Sequence, residues 1–219
     1  MEKFTDCYRR GEVFLRKEQF DKAIDEYTTA IALNPQCAPA YKGRGDAFGM
    51  KKQFDKAIDD FTAAIALKPN YAWAYRGRGE AYRMMRQYDK AIDDFTAAIA
   101  LAPNYALAYG SRGDAFRMMR QFDKAIDEYT TAIALNPKCA LAYRGRGDAL
   151  RRKKQSAKAI DDFTVAITLN PNYALAYRGR GAAHRQKGNI EQAISDLEKA
   201  LILDPGSALA RNLLHSCSC

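Results

Sequence analysis

Apolar and small residues recur along this chain in fixed columns. Residues 72–105, AWAYRGRGEAYRMMRQYDKAIDDFTAAIALAPNY, carry the pattern once, and most of the remaining chain restates it. Tyr75, Gly79 and Tyr82 fall at i, i+4 and i+7, which predicts one face of a first helix. Tyr88, Ala91, Ile92, Phe95, Ala98 and Ile99 predict the apolar face of a second. Asp89 lies in the first turn of that second helix, where a carboxylate suits the helix dipole. Proline then stops it, because proline cannot continue the hydrogen-bond ladder. Pro35, Pro69, Pro103, Pro137, Pro171 and Pro205 are spaced 34 residues apart. A period of this size predicts stacked helical units that share one continuous core.

Counting from the residue after each boundary gives six repeats: 4–37, 38–71, 72–105, 106–139, 140–173 and 174–207. Residues 208–219, ALARNLLHSCSC, begin like another first helix and stop. They are expected to form a capping helix with a short tail, Leu209, Leu213 and Leu214 covering the exposed end of the last repeat.

Composition narrows the class. Apolar residues make up 47%, ample for a continuous core, and no run is long enough to span a bilayer. The opening MEKFTDCYRR has no apolar stretch of an export signal, so a soluble, unexported and cytoplasmic chain is expected. Cys7, Cys37, Cys139, Cys217 and Cys219 form no paired framework and suit free thiols in a reducing compartment. Cys219 does not complete a prenylation motif, and a solvated tail is expected there. Lys and Arg outnumber the acids by 35 to 26, and the resulting charge of +9 favours acidic partners.

Within each repeat, Tyr stands at position 4, Gly at 8, an aromatic at 11, Ala at 20, an aromatic at 24, Ala at 27 and Pro at 32. On these columns the chain resembles the tetratricopeptide repeat family over nearly its whole length. The resemblance implies an all-α, right-handed superhelical solenoid of six helix-turn-helix units with a capping helix. It also implies a concave groove walled by the first helices, whose positions 2, 5, 9, 12 and 13 face the groove.

Three departures from the family pattern stand out. Position 7, commonly Leu, is Arg throughout (Arg10, Arg44, Arg78, Arg112, Arg146, Arg180), and position 23 is always acidic (Glu26, Asp60, Asp94, Glu128, Asp162, Asp196). A partly buried guanidinium needs a carboxylate, so the two columns are expected to pair, the alternative being arginines that snorkel to solvent. Position 6 is glycine in four repeats (Gly43, Gly77, Gly145, Gly179), each costing about 1 kcal/mol of helix propensity relative to alanine. The fifth repeat has Ser156 where others carry a large apolar residue, Leu150 for an aromatic and Ala157 for an acid, and is expected to be the softest point.

Catalysis finds little support. His184 occupies an aromatic packing column, and His215 lies near Cys217 and Cys219 without the spaced ligand pairs of a zinc site. The RGRG strings fall inside helices, so their glycines build no phosphate cradle. No cofactor and no metal are expected, and the chain is read as no enzyme.

Binding is better supported. Position 5 carries Lys42, Arg76, Arg144 and Arg178; position 9 carries Asp46, Glu80, Asp114 and Asp148; position 12 carries Arg83, Arg117, Arg151 and Arg185. Positions 5, 9 and 12 share one helical stripe, so these residues form a basic, acidic, basic ladder. Each acid can bridge both neighbours, which would leave a self-neutralised, solvated face. Toward the C-terminus the balance turns positive, since Arg178 and Arg185 flank Ala182. At position 2 an apolar rail includes Trp73, the residue type most often found to dominate contact energy, although stacking on a neighbouring repeat would also explain it.

The carboxylate clamp by which some family members grip chaperone tails needs Asn at position 9, which this chain lacks. The expectation is therefore a non-catalytic adaptor that holds a protein or peptide segment carrying acidic residues. RNA binding remains an alternative, with Arg151-Arg152-Lys153-Lys154 as its basic cluster and the acidic row against it, as does self-association into a structural scaffold.

Overall fold

The computed structural model describes residues 2–217. Among them the chain forms helices only: α1 Glu2–Arg16, α2 Phe20–Leu33, α3 Ala38–Met50, α4 Phe54–Leu67, α5 Ala72–Met84, α6 Tyr88–Leu101, α7 Ala106–Met118, α8 Phe122–Leu135, α9 Ala140–Arg152, α10 Ser156–Leu169, α11 Ala174–Gln186, α12 Ile190–Leu203 and α13 Ala208–His215. Odd-numbered helices are the first helices of the sequence pattern and even-numbered helices the second. The whole is an all-α helical-repeat solenoid. It divides into two compact units, Met1–Ser111 and Arg112–Cys219.

The helix ends follow from local chemistry. After each of α1, α3, α5, α7 and α9 one non-glycine residue turns left-handed: Glu18, Lys52, Arg86, Arg120 and Lys154, with φ between 57° and 61°. Gly188 takes the same place after α11 with φ of 81°, the residue for which this conformation carries no Cβ penalty. At the turn after α3, Gln53 N–H donates to Phe48 C=O at 2.9 Å, satisfying a carbonyl the helix leaves open. The even helices end on an extended residue; after α2 this is Asn34, whose side chain accepts the N–H of Gln36 at 3.1 Å before the chain re-enters a helix.

Packing explains the glycines. In the first unit, a Cβ on Gly45 would lie 3.1 Å from the Phe61 ring, and one on Gly77 would lie 2.5 Å from its other face. Phe61 is thus held between position 8 of its own repeat and position 6 of the next. In the second unit Phe163 sits likewise between Gly147 and Gly179, and Tyr129 between Gly113 and Gly145. The glycine that costs helix propensity is the one that admits the ring, and the buried rings and alanines form the core.

The expected pairing of positions 7 and 23 is present in every repeat, at 2.7–2.8 Å from Arg10–Glu26 to Arg180–Asp196. It is bidentate for Arg10, Arg44, Arg78, Arg146 and Arg180, and the last four reach further. Arg78 donates to both carboxylate oxygens of Asp94 and, through Nη1, to Thr62 of the preceding repeat at 3.1 Å. Arg44, Arg146 and Arg180 do the same with Thr28, Thr130 and Thr164. Hydrogen bonding to the acid pushes the pKa of these four guanidinium groups up. Each such arginine ties two second helices together.

Leu213 and Leu214 of α13 pack on Leu197 and Ala200, whereas Leu209 remains exposed. Cys7, Cys37, Cys139 and Cys217 are free thiols. Ser218 and Cys219, on which the reading of the tail rests, lie outside the described residues. No helix among the described residues is long and apolar enough to cross a membrane.

Candidate functional site

The ladder residues all lie on odd-numbered helices, and the structure shows how the charges settle. In the first unit, Lys42 and Asp46 of α3 pair at 2.6 Å across one helical turn. In α5, Glu80 accepts from Arg83 Nε at 2.9 Å and also from its Nη2, so it takes one basic neighbour and leaves the other. Arg76, the neighbour left, makes no ion pair among the described residues, acts on Asp46 only at longer range, and has a buried Nε without a hydrogen-bond partner.

The second unit shows the same economy. Asp114 of α7 accepts from Arg117 at 2.9 Å and from the Tyr129 hydroxyl at 2.7 Å. Burial opposes its ionisation, yet Arg117, the Tyr129 hydroxyl and Arg144 together hold its carboxyl below the usual carboxylate range. Asp46, in the same column, goes the other way: burial pushes its carboxyl up in spite of Lys42. In α9, Asp148 takes Arg144 at 3.1 Å, and Arg144 Nε donates to the Tyr173 hydroxyl at 3.1 Å.

What remains is cationic. Arg151 of α9 has a buried Nε with no partner. Burial lowers the pKa of its guanidinium; Asp148 opposes the shift, and the nearby charges of Arg152 and Arg178 add to it. Arg178 of α11 is half-buried and has no acid within ion-pair distance among the described residues. The position between Arg178 and Arg185 is the buried Ala182, and Arg185, at the helix end, donates to Ser216. The sequence ladder therefore splits into rungs paired at contact distance (Lys42, Arg83, Arg117, Arg144 with their acids) and rungs that make no ion pair among the described residues (Arg76, Arg151, Arg178).

Trp73 is 56% exposed, its ring edge-on to Tyr71 at 6.0 Å and tilted against Tyr105 at 6.1 Å. It stands on the rim of a pocket of about 610 Å³ in the first unit, where Met50, Met84, Gly49, Arg76 and Glu80 also line the wall. Sequence reasoning singled out Trp73 and not this pocket. The available signal was Gly49, standing where later repeats carry arginine, beside methionines at position 13. Tyr129 was also missed as a partner of the stripe, because its hydroxyl reaches Asp114 from an even helix.

Among the described residues no group of three or more His, Cys, Asp or Glu could hold a metal ion. Geometrically, the molecule is a helical-repeat solenoid whose first helices carry a row of charged and apolar side chains. Tetratricopeptide repeat models match residues 8–72 and 111–174, and a further one matches 72–105 and 174–207. The chain belongs to the tetratricopeptide repeat family.

Among proteins with curated function, none matches this chain in sequence. Solved structures do match. The Cut9–Hcn1 hetero-tetramer of the APC/C contains a chain that superposes with a TM-score of 0.89 at 22% identity, covering 96% of this chain. The present chain spans only 42% of the length of that protein. YrrB, described as a TPR protein with an unusual peptide-binding site, matches at a TM-score of 0.67 and 24% identity, covering 88% of this chain and 98% of YrrB. The first TPR of Spaghetti, solved with the HSP90 peptide SRMEEVD, matches at 0.51 and 34% identity over 52% of this chain and 90% of its own.

Proposed function

We propose that this chain is a non-catalytic adaptor that holds an extended peptide segment of a partner protein, acidic in character, against its odd-numbered helices. The observation that carries the reading is the pair Arg151 and Arg178. They come from neighbouring first helices and make no ion pair among the described residues; the one acid near Arg151, Asp148, is already held by Arg144, and the Arg151 Nε is buried without a partner. An excess of like charge over the acids beside it favours an anionic ligand, and guanidinium groups bind carboxylates in bidentate fashion. The peptide complex of the Spaghetti relative supports a peptide as the form the anion takes. Free cysteines accord with a reducing, cytoplasmic setting.

Selection from a random peptide display library on the wild type and on Arg151→Ala/Arg178→Ala tests this. The expected result is a recurring motif with an acidic position that the variant no longer selects. An acidic position that survives in the variant would overturn the assignment. A protein that enriches no peptide but binds RNA with steep salt dependence would favour the nucleic-acid reading. The paired acidic rungs weigh against that outcome.

A further inference from the structure

Most helical glycines here are accounted for by a ring. In α3, a Cβ on Gly43 would come within 2.4 Å of Tyr27 and one on Gly45 within 3.1 Å of Phe61. Gly49, in the same helix, is different: a Cβ there would meet nothing within 4 Å. It weakens the last turn of α3 and returns no packing. Its place in the repeat is filled by Arg83, Arg117, Arg151 and Arg185 in the later repeats. The missing side chain opens the 610 Å³ pocket of the first unit.

The walls of that pocket define what fits. Met50 and Met84 on its rim are 61% and 47% exposed, and Trp73 stands beside them; the floor includes the Phe61 ring. Unbranched thioethers re-pack around apolar groups of varied shape, and an exposed tryptophan offers a large rigid face. The polar lining is equally selective. Asp46 and Glu80 are held at contact distance by Lys42 and Arg83, whereas Arg76 feels Asp46 only at longer range, makes no ion pair among the described residues and keeps a buried, unsatisfied Nε. Apart from the exposed Glu18, the lining carboxylates are engaged, and a ligand carboxylate finds the Arg76 guanidinium without a contact partner.

We infer that the pocket opened by Gly49 is a specificity site for a partner peptide, taking a long apolar side chain (Leu, Met or Phe) that neighbours a carboxylate bound by Arg76. The inference rests on the peptide-adaptor reading and sharpens it: the first unit reads an apolar residue as well as an acid.

Gly49→Arg restores the side chain that later repeats carry and fills the opening, and it improves helix propensity at a site with room. The variant should melt no lower than the wild type. Peptides selected by display on the wild type are synthesised and titrated into wild type, Gly49→Arg and Arg151→Ala/Arg178→Ala. Trp73, the one tryptophan of the chain, reports on pocket occupancy through its fluorescence.

The expected result is a blue shift of emission on binding and at least tenfold weaker binding to Gly49→Arg. Replacing the apolar residue of the peptide by Ser should weaken binding to the wild type but not to Gly49→Arg. Equal affinity of wild type and Gly49→Arg, with selection still lost in the double arginine variant, would overturn the pocket and leave the adaptor reading standing. Failure to select any peptide on the wild type would overturn both. Self-association of the wild type in sedimentation, abolished by Gly49→Arg, would instead assign the pocket to a second copy of the chain.

Discussion

At the scale of single residues, a charge in this protein means different things according to what surrounds it. Asp94 is 8% exposed and clamped by Arg78, which is 19% exposed and also holds Thr62 of the repeat before. Removing either partner leaves the other half-buried and unpaired. Arg78→Ala and Asp94→Ala should each cost about 2–3 kcal/mol, the value of a charge-assisted hydrogen bond with its desolvation. The double variant should cost about 1–3 kcal/mol less than their sum. Urea melts of the four proteins check this, and additive losses would mean that the pair contributes nothing as a pair. Asp114 supplies the pH test. Its carboxyl is held below the usual carboxylate range, so its stabilisation is fully present above the unfolded-state value near 3.8 and is lost as pH falls through the lowered folded value. The melting-temperature gap between wild type and Asp114→Asn should be open at pH 7 and close progressively below about pH 4. A gap that widens on acidification would reverse the assignment. The two acidic columns were both readable in the sequence. Which acid would end below its ordinary value was not: Asp46 and Asp114 share a column and each has two cations near it, but Asp114 also accepts the Tyr129 hydroxyl.

At the scale of helices, the glycine columns look like defects in the sequence and become contacts in the structure. Position 6 of one repeat and position 8 of the repeat before close on the two faces of a single ring. That relation crosses the repeat boundary, so no reading of one repeat in isolation exposes it. Helix propensity and packing therefore oppose each other at these sites, and packing should prevail. Gly179→Ala gains up to about 1 kcal/mol of helix propensity. It also drives a methyl to within 2.5 Å of Phe163, an overpacking that costs about 1–3 kcal/mol. A net loss in stability is expected, and part of it should be recovered when Phe163→Leu is added, since Leu197 fills the same column in the last repeat. Thermal melts of the single and double variants measure this. A stabilised Gly179→Ala would show that the ring moves aside at little cost and that the glycine column serves some other end.

At the scale of the whole molecule, the sequence displayed the architecture almost completely, because a 34-residue period repeats every structural decision and each copy checks the others. The candidate site was less legible for the same reason. What distinguishes one rung of the ladder from another is the exception (Ala182 in place of an acid, Gly49 in place of an arginine), and the consequence of each exception depends on which neighbour claims which partner. The fifth repeat concentrates such exceptions. Ser156 is buried at the start of α10 and bonds to Gln186 of the next repeat at 3.1 Å, and Leu150 packs against Phe163 where other repeats bring a ring. A hydroxyl and one hydrogen bond, net about 1 kcal/mol, replace the partial burial of a large apolar side chain, which would be worth about 1.5–3 kcal/mol if complete, and its contacts with the neighbouring helices. In a solenoid, where stability is summed over repeats and their nearest-neighbour contacts, such a deficit stays local. Amide exchange should therefore be fastest, among helix interiors, in α9 and α10, and Ser156→Phe should slow it there first. Equal protection across all repeats would show instead that the fifth repeat borrows its stability from its neighbours.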